Sequence, residues 1–175
     1  MENMVTGTKS TNPFEESFKF VLPGYNLRPL EMSGAIGIEQ LAKLNDFVVQ
    51  RRKNAEYFYE KMRKFDQLMT QEEIGSNSYF GFSIVIKEKY SIDKNKLVNF
   101  LISKGVECRP IVGGNFVKNE VIRFFDYSIS GALSNADYID QHGFFIGNNQ
   151  YELNENIDHL IVTLESFLYW YEIRF

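Results

Sequence analysis

The residue types that most often carry enzyme chemistry are few in this sequence and lie far apart. Its two histidines, His142 and His159, both fall in predicted helices, where structural or surface roles are expected. The single cysteine, Cys108, has no histidine or lysine beside it in sequence to activate its thiol, so a buried and unreactive thiol is expected. No phosphate-binding loop, zinc-protease motif or nucleophile elbow occurs. The residues alone therefore predict no metal site and no catalytic nucleophile.

Composition limits the class of protein further. The chain has 175 residues and a formal net charge of −4, which argues against nucleic acid or an anionic membrane as the main partner. The cluster Arg51-Arg52-Lys53 is expected to form a solvated helix face rather than a binding site. One cysteine, no apolar stretch in the first ten residues and no long apolar run together predict a cytoplasmic protein.

A proline-bounded loop leads into the first predicted helix. Pro23, Gly24 and Pro29 interrupt the chain, and Asn45 and Asp46 are expected to end or re-cap the helix that follows. The apolar residues of this helix recur with helical spacing: Leu30, Ile36, Ile38, Leu41 and Leu44. We therefore expect an extended arm over residues 1–22 and one small domain over 23–175, with a linking or dimer helix at 29–44.

Downstream, predicted helices and strands alternate. A charged helix runs to about Lys64 and a polar connection follows over 66–78. Strands are predicted over 79–87, 106–111 and 144–147, and a short helical segment over 119–125. Further helices are predicted from Asp93 to Gly105, from Asn135 to His142, and from Asn154 onward. This order, without repeats, predicts an α+β (two-layer α/β) domain in which a small sheet carries helices on one face.

Six stretches of the chain carry a family resemblance. They are FEESFKFVLPGYNLRPLEMSGAIGIEQLAKL (14–44), RRKNAEYF (51–58), FGFSIVIK (80–87), ECRPIVGGNF (107–116), NADYID (135–140) and GFFIGNNQ (143–150). Together they resemble the sugar aminotransferase (DegT/StrS-type) family of pyridoxal-phosphate (PLP) enzymes. The resemblance begins near Val5 and corresponds to the C-terminal part of such an enzyme. It implies the small C-terminal domain of the aspartate-aminotransferase-like fold, with the large PLP-binding domain absent from this chain.

The resemblance also implies roles for two residues of the proline-bounded loop. In the family's GYNxR pattern, the asparagine reaches the PLP phosphate of the partner subunit, and this position is Asn26 here. A turn-forming asparagine is the structural alternative. Arg28 either binds an anionic part of the substrate or makes an ion pair with Glu31 or Glu39.

The segment from Arg109 to Asn115 resembles the part of the nucleotide-sugar dehydratases that lines the sugar site. This likeness implies that Arg109 pairs with diphosphate oxygens and that Asn115 contacts sugar hydroxyls, with loop architecture as the alternative for both. The sequence differs from those enzymes within GNNQ (147–150), where Asn149 replaces a histidine that is typical of them.

The implied activity needs residues that this chain lacks. The family uses PLP as an electron sink, with a lysine or histidine base supplied by the large N-terminal domain, so no catalytic base is assigned here and no cofactor is expected for this chain alone. The implied reaction is removal of the C3 hydroxyl of GDP-4-keto-6-deoxymannose in lipopolysaccharide O-antigen biosynthesis, with glutamate regenerating pyridoxamine phosphate. The expected partners are an N-terminal PLP-binding half, or a second subunit as in the family homodimer, and a nucleotide sugar. The alternative is a non-catalytic dimerisation or nucleotide-sugar-binding module.

Overall fold

The computed structural model describes residues 12, 14, 22–24 and 30–174, and the side chains only as far as residue 171. The helices of this part are α1 (Glu31–Leu41), α2 (Leu44–Met62), α3 (Lys94–Ser103), α4 (Ser134–His142) and α5 (Asn154–Arg174). The strands are β1 (Leu68–Thr70), β2 (Gly81–Ile86), β3 (Cys108–Arg109) and β4 (Gly143–Gly147). Short 3-10 turns cover Glu88–Tyr90, Phe116–Lys118 and Glu120–Phe124.

The strands of the described residues form one antiparallel sheet in the order β1-β2-β4-β3. The two central strands pair with Gly81 opposite Gly147 and Ile84 opposite Phe144, although the whole segment 87–142 separates them in sequence. The edge strand β3 adds Cys108 opposite Ile146. The sheet is therefore held mainly by contacts between distant parts of the chain.

The hydrophobic core lies between one face of this sheet and the helices α2, α3 and α5. Alternation along β2 and β4 directs Phe82, Ile84 and Phe144 to this face, where each is at most 1% exposed. The helices contribute buried residues to the same cluster: Ala55, Phe58, Met62, Leu97, Val98, Leu101, Ile157, Leu160, Ile161, Leu164, Phe167 and Leu168. The predicted α+β fold, with a small sheet and helices packed on one face, is confirmed.

The opposite face of the sheet is packed more sparsely. The ring of Phe145 covers Gly81 so closely that a Cβ built on the glycine would lie 2.8 Å from Phe145 Cδ2 and 2.6 Å from the carbonyl oxygen of Ile146. Helix α4 approaches this side at the start of β4, where a Cβ on Gly143 would lie 2.5 Å from the carbonyl oxygen of Ile139. Both positions require a residue without a side chain because the neighbouring atoms occupy that space.

Several predicted boundaries were accurate and others were wrong. Asp93 caps α3 by accepting from Lys96 N at 3.0 Å, and Gly105 follows the helix at φ +83, as predicted. The predicted first helix ends earlier than expected, since α1 stops at Leu41 and a turn precedes α2. Helix α4 begins directly after Leu133, whose backbone is in the left-handed conformation. No side chain caps this helix, so the predicted cap by Asn135 is not formed.

The predicted polar connection over 66–78 contains strand β1. Leu68 is 6% exposed and pairs with Ile86, which places it in the core. Three residues are too few to show a period of two, so the strand is set by its pairing with β2 rather than by its own sequence.

Two arginines of the charged cluster in α2 are not simply solvated. Arg51 donates from Nε and Nη2 to the carbonyl oxygen of Tyr79, at 3.0 and 2.7 Å. Arg52 donates from Nε to the carbonyl oxygen of Asn77 at 2.8 Å. Arg52 and Lys53 are exposed, as expected of a solvated face, whereas Arg51 is partly buried. The two arginines also hold the segment before β2 against α2.

Helix α1 buries none of its residues against the described part of the chain. Its apolar side chains and the one before it are 63–73% exposed: Leu30, Met32, Ile36, Ile38 and Leu41. An apolar helix without cover is typical of an interface with another polypeptide. Within the described range, no helix has both the length and the apolar composition needed to cross a bilayer.

Candidate functional site

A cavity of about 450 Å³ lies beside the loop that runs from Pro110 to Asn115. Its remaining wall includes Lys94 at the start of α3, Lys118 in the following 3-10 turn, and Asp140 near the end of α4. Loop, turn and helix ends thus converge on one space. Its volume is within the range of about 300–1,000 Å³ common to small-molecule sites.

The loop keeps its shape because of a glycine. Gly114 has φ +58, and a Cβ added to it would lie 1.9 Å from Oδ1 of Asp140. Its backbone N–H donates to the carbonyl oxygen of Ile111 at 3.0 Å, closing a tight turn. Neither the dihedral angle nor the contact with Asp140 admits a side chain, so glycine is needed at position 114 of this wall.

Asn115 is the buried polar residue of the cavity, with 5% of its surface exposed. Its amide Nδ2 donates to Oδ1 of Asp137 at 2.8 Å. The same carboxylate oxygen lies 2.5 Å from Nζ of Lys118, which also lies 3.7 Å from Oδ2 of Asp140. An amide, a carboxylate and an ammonium group therefore form one network at the cavity wall.

The network fixes the charges of its members. The hydrogen bond from Lys118, followed by that from Asn115, lowers the pKa of the Asp137 carboxyl below its usual value. The hydrogen bond to Asp137 in turn raises the pKa of Lys118. Both groups are thus charged at neutral pH, and the Asp137 carboxylate can only accept hydrogen bonds.

Other contacts brace the same wall. Lys94 donates from Nζ to the carbonyl oxygen of Asp140 at 2.7 Å. Asn119 donates from Nδ2 to the carbonyl oxygen of Gly113 at 3.0 Å. The loop and the end of α4 are therefore held from two sides, which is the arrangement expected of a preformed binding site.

Arg109 lies apart from this cavity. It belongs to the edge strand β3, opposite Phe145, so its side chain emerges on the sheet face away from the core. Its Nε and Nη2 donate to Oε1 of Glu107, at 2.8 and 2.5 Å, and the pair is exposed to solvent. The structure thus brings Asn115 into the cavity but does not bring Arg109 beside it. Asn26 and Arg28 lie outside the described residues.

Sequence reasoning missed Lys118 and Asp137 as members of the site. Asp137 is 22 residues from Asn115 and meets it only through the fold. Asp137 lies within the stretch NADYID, which contributes to the family resemblance and was the sequence feature that could have pointed to this residue. Lys118 carried no motif.

The histidines, the cysteine and Asn149 occupy structural positions. His159 Nε2 lies 2.9 Å from the carbonyl oxygen of Lys104, and the ring of His142 packs on Tyr138. Burial raises the pKa of the Cys108 thiol to about 12, with a smaller contribution from Glu107. Asn149 accepts from the N–H of Tyr151 at 2.8 Å, as a turn asparagine does. The described side chains include no cluster of three or more His, Cys, Asp or Glu that could hold a metal ion.

Residues 3–164 match the DegT/DnrJ/EryC1/StrS aminotransferase family. The chain belongs to this family. The match includes the cavity loop, the 3-10 turn with Lys118 and all of α4, so the candidate site is built entirely from family sequence.

Two curated relatives within this aminotransferase family are GDP-4-keto-6-deoxy-D-mannose 3-dehydratases. Those of Yersinia pseudotuberculosis and Escherichia coli O55:H7 are each 56% identical over 165 residues, which is 94% of this chain and 42% of the relative. The lipopolysaccharide biosynthesis protein RfbH of Salmonella typhimurium is 29% identical over 157 residues, covering 88% of this chain and 36% of its own length. The chain thus spans less than half the length of the relatives it matches.

The solved structures place the fold in the same family. A GDP-4-keto-6-deoxymannose-3-dehydratase with a trapped PLP-glutamate geminal diamine matches with a TM-score of 0.76 and 56% identity, over 91% of this chain and 42% of that one. An aminotransferase from Psychrobacter cryohalolentis matches with a TM-score of 0.69 at 14% identity, over 91% of this chain and 48% of that one. At 14% identity, the second match supports the fold alone.

Proposed function

We propose that this chain is the C-terminal part of a PLP-dependent nucleotide-sugar dehydratase that removes the C3 hydroxyl of GDP-4-keto-6-deoxymannose, a step towards O-antigen deoxysugars. One observation carries the proposal: 56% identity to such dehydratases extends over 94% of the chain and includes the cavity loop with the buried Asn115. A mutant of the solved dehydratase holds GDP-perosamine, a nucleotide sugar of the same class. The single buried thiol of Cys108 agrees with the reducing cytoplasm, where we place the enzyme.

The described residues do not by themselves fit a PLP site. A lysine that forms a Schiff base must lose its proton, whereas the hydrogen bond to Asp137 raises the pKa of Lys118. The other cavity amine, on Lys94, is bonded to the carbonyl oxygen of Asp140. We therefore assign no catalytic residue to this part of the chain and derive no step through the cofactor. The reacting base belongs, in this proposal, to an N-terminal half or to a second subunit.

This chain's own residues would bind and orient the substrate. Asn115 contacts the sugar from the cavity wall, and Arg109 contacts the diphosphate. Arg109 forms an ion pair with Glu107 that is exposed to solvent, and exposed ion pairs contribute little to stability. The guanidinium group can therefore exchange the Glu107 carboxylate for a substrate phosphate at little cost. Asn26 donates to the PLP phosphate of the partner subunit, and Arg28 binds an anionic group of the substrate.

The test is complementation with an N-terminal half. The chain is mixed with the N-terminal part of the Yersinia pseudotuberculosis relative, and PLP absorbance and loss of the C3 hydroxyl are measured. We expect both signals only when both polypeptides are present, and weaker PLP retention for Asn26→Ala. A bound-PLP band with this chain alone, or no turnover in the mixture, would contradict the proposal.

A second candidate function is a dimerisation module without turnover. The exposed apolar residues of α1 favour it, since such a surface promotes self-association until another polypeptide covers it. We expect the isolated chain to sediment as a dimer or larger species, and the variant Met32→Asn/Ile36→Asn to shift it towards monomer. The matched control is Ile74→Asn, which changes a residue that is 98% exposed but lies outside α1. A wild-type chain that stays monomeric would exclude this function.

A further inference from the structure

The cavity wall carries a side-chain oxygen, on the largely buried residue Asn115, that receives no hydrogen bond from the described residues. Asn115 is 5% exposed, and the hydrogen bond to Asp137 uses its Nδ2. The residue precedes the 3-10 turn Phe116–Lys118, where an asparagine often caps the turn with its side-chain oxygen, yet it makes no such cap. Across the described residues, its Oδ1 receives no hydrogen bond.

This oxygen is not sealed inside the protein. Within the described part of the chain, the fully enclosed side-chain polar atoms without a partner are limited to the hydroxyl of Tyr59. Asn115 lines the cavity, and its amide nitrogen is held at Asp137, so the oxygen is the group left to meet a ligand there. The oxygen is open to the cavity and can only accept hydrogen bonds, so a ligand that supplies a hydrogen-bond donor fits this point of the wall.

The direction of the amide is set by its neighbour. Asp137 is ionised and only accepts, so the NH₂ group of Asn115 must face it, and a flipped amide would place oxygen against oxygen. Lys118 holds the carboxylate in place through the same Oδ1 atom. The orientation of Asn115 therefore depends on two residues that do not themselves need to touch the ligand.

We infer that Asn115 presents its side-chain oxygen to the cavity as the acceptor for a ligand hydroxyl, and that Asp137, held by Lys118, is the positioning residue that keeps it there. This inference rests on the proposed function and narrows it: the sugar portion of the nucleotide sugar occupies this cavity and donates a hydroxyl proton to Asn115. An anionic group at the same point is disfavoured, because it would face an oxygen rather than an N–H donor.

The test uses the full chain, labelled with ¹⁵N, and GDP-mannose as the probe, with GDP alone as the second arm. In the wild-type chain, we expect GDP-mannose to shift the cavity resonances and the Asn115 side-chain amide, and to bind more tightly than GDP. Asn115→Ala and Asp137→Ala should weaken GDP-mannose binding about three- to tenfold and leave GDP binding unchanged. Asp137→Asn keeps an oxygen for Asn115 and should restore affinity to within about twofold of the wild type.

The variants must keep their fold, which the backbone spectrum reports. If either alanine variant unfolds, the wild-type Asn115 amide gives the second readout: its resonances should follow the ionisation of Asp137 and lose that response in Asp137→Asn. GDP-mannose that leaves the cavity unperturbed, or that binds Asp137→Ala as tightly as the wild type, would overturn the inference. Failure of the complementation assay with intact sugar binding would instead overturn the proposed dehydratase.

Discussion

Asn54 on α2 donates its side-chain amide to Oδ1 of Asn148, 94 residues later in the chain, at 3.0 Å. The same Nδ2 lies 3.2 Å from the carbonyl oxygen of Asn149 and 2.7 Å from that of Tyr151. Its Oδ1 accepts from Gln50 Nε2 and from the N–H of Leu153, at 2.9 and 3.3 Å. Asn54 is 0% exposed, so its side chain provides hydrogen-bond partners for polar groups of the loop between β4 and α5 in the interior of the protein.

Replacement of Asn54 by alanine should destabilise the fold. The carbonyl oxygens of Asn149 and Tyr151 and the N–H of Leu153 would lose their partner, and a buried unpaired group costs about 1–3 kcal/mol. We expect Asn54→Ala to lower the free energy of unfolding by at least about 2 kcal/mol, measured by urea denaturation with circular dichroism. The control Asn99→Ala, at an exposed position of α3, should change it by less than about 0.5 kcal/mol. Equal losses in the two variants would contradict the role given to Asn54.

Two glycines that face each other in the sheet should respond differently to alanine. Gly81 pairs with Gly147, but a Cβ would strike Phe145 and the backbone of Ile146 only at Gly81. We expect Gly81→Ala to cost about 1–3 kcal/mol or more, because the strands must separate to admit the methyl group. Gly147→Ala, which meets nothing within 4 Å, is the matched control and should stay within about 0.5 kcal/mol. Thermal denaturation of the two variants measures the difference, and similar melting temperatures would refute the packing argument.

The Cys108 thiol should be inert in the folded protein. Its pKa is raised to about 12, mainly by burial, from an ordinary value of 9.0. Its thiolate fraction at mildly alkaline pH is then about a thousandfold lower than that of an ordinary cysteine. We expect alkylation by iodoacetamide to be slow in buffer and fast in concentrated urea. Glu107→Gln should alter the native rate little, since burial is the larger cause; rapid alkylation of the native chain would disprove this account.

The network at the cavity wall should make stability depend on pH at both extremes. Asp137 has a depressed pKa in the folded state, so its stabilisation is present above its unfolded pKa and is lost as the pH falls through the folded value. Lys118 has a raised pKa, so its share is present below its unfolded pKa and is lost as the pH rises through the folded value. The urea midpoint of the wild type should therefore exceed that of Asp137→Ala near neutral pH, and the two should converge in acid. A gap that persists below the pKa of Asp137 would show that the difference has another origin.

Long, periodic elements could be predicted from the sequence. The apolar face of α5 and the run that forms β2 each follow from spacing alone, because burial of one side of a helix or strand repeats in the residues. Strand β1 could not be predicted, since Leu68 is buried by pairing with Ile86 and not by a pattern of its own. The early end of α1 was missed for a similar reason: Asn45 and Asp46 resemble helix caps, yet α2 runs through both.

The candidate site was predictable only in part. The family resemblance identified Asn115, because the GGN segment keeps a recognisable sequence. Its partners Asp137 and Lys118 depend on the approach of α4 and the 3-10 turn, which no local pattern encodes. Arg109 was predicted together with Asn115 because both belong to the segment that carries the family resemblance, but β3 directs the Arg109 side chain to the face of the sheet away from the core.

The pairing of β2 with β4 also has a consequence for synthesis of the protein. The sheet cannot close until the ribosome has released the segment 87–142 and β4 behind it, so β2 emerges with β1 available on one edge but with its β4 edge open. The nascent polypeptide then exposes the apolar run GFSIVI for the time needed to translate at least that segment. Chaperone capture during translation, mapped by ribosome profiling of the bound nascent chains, should therefore begin after β2 and cease once β4 has left the exit tunnel.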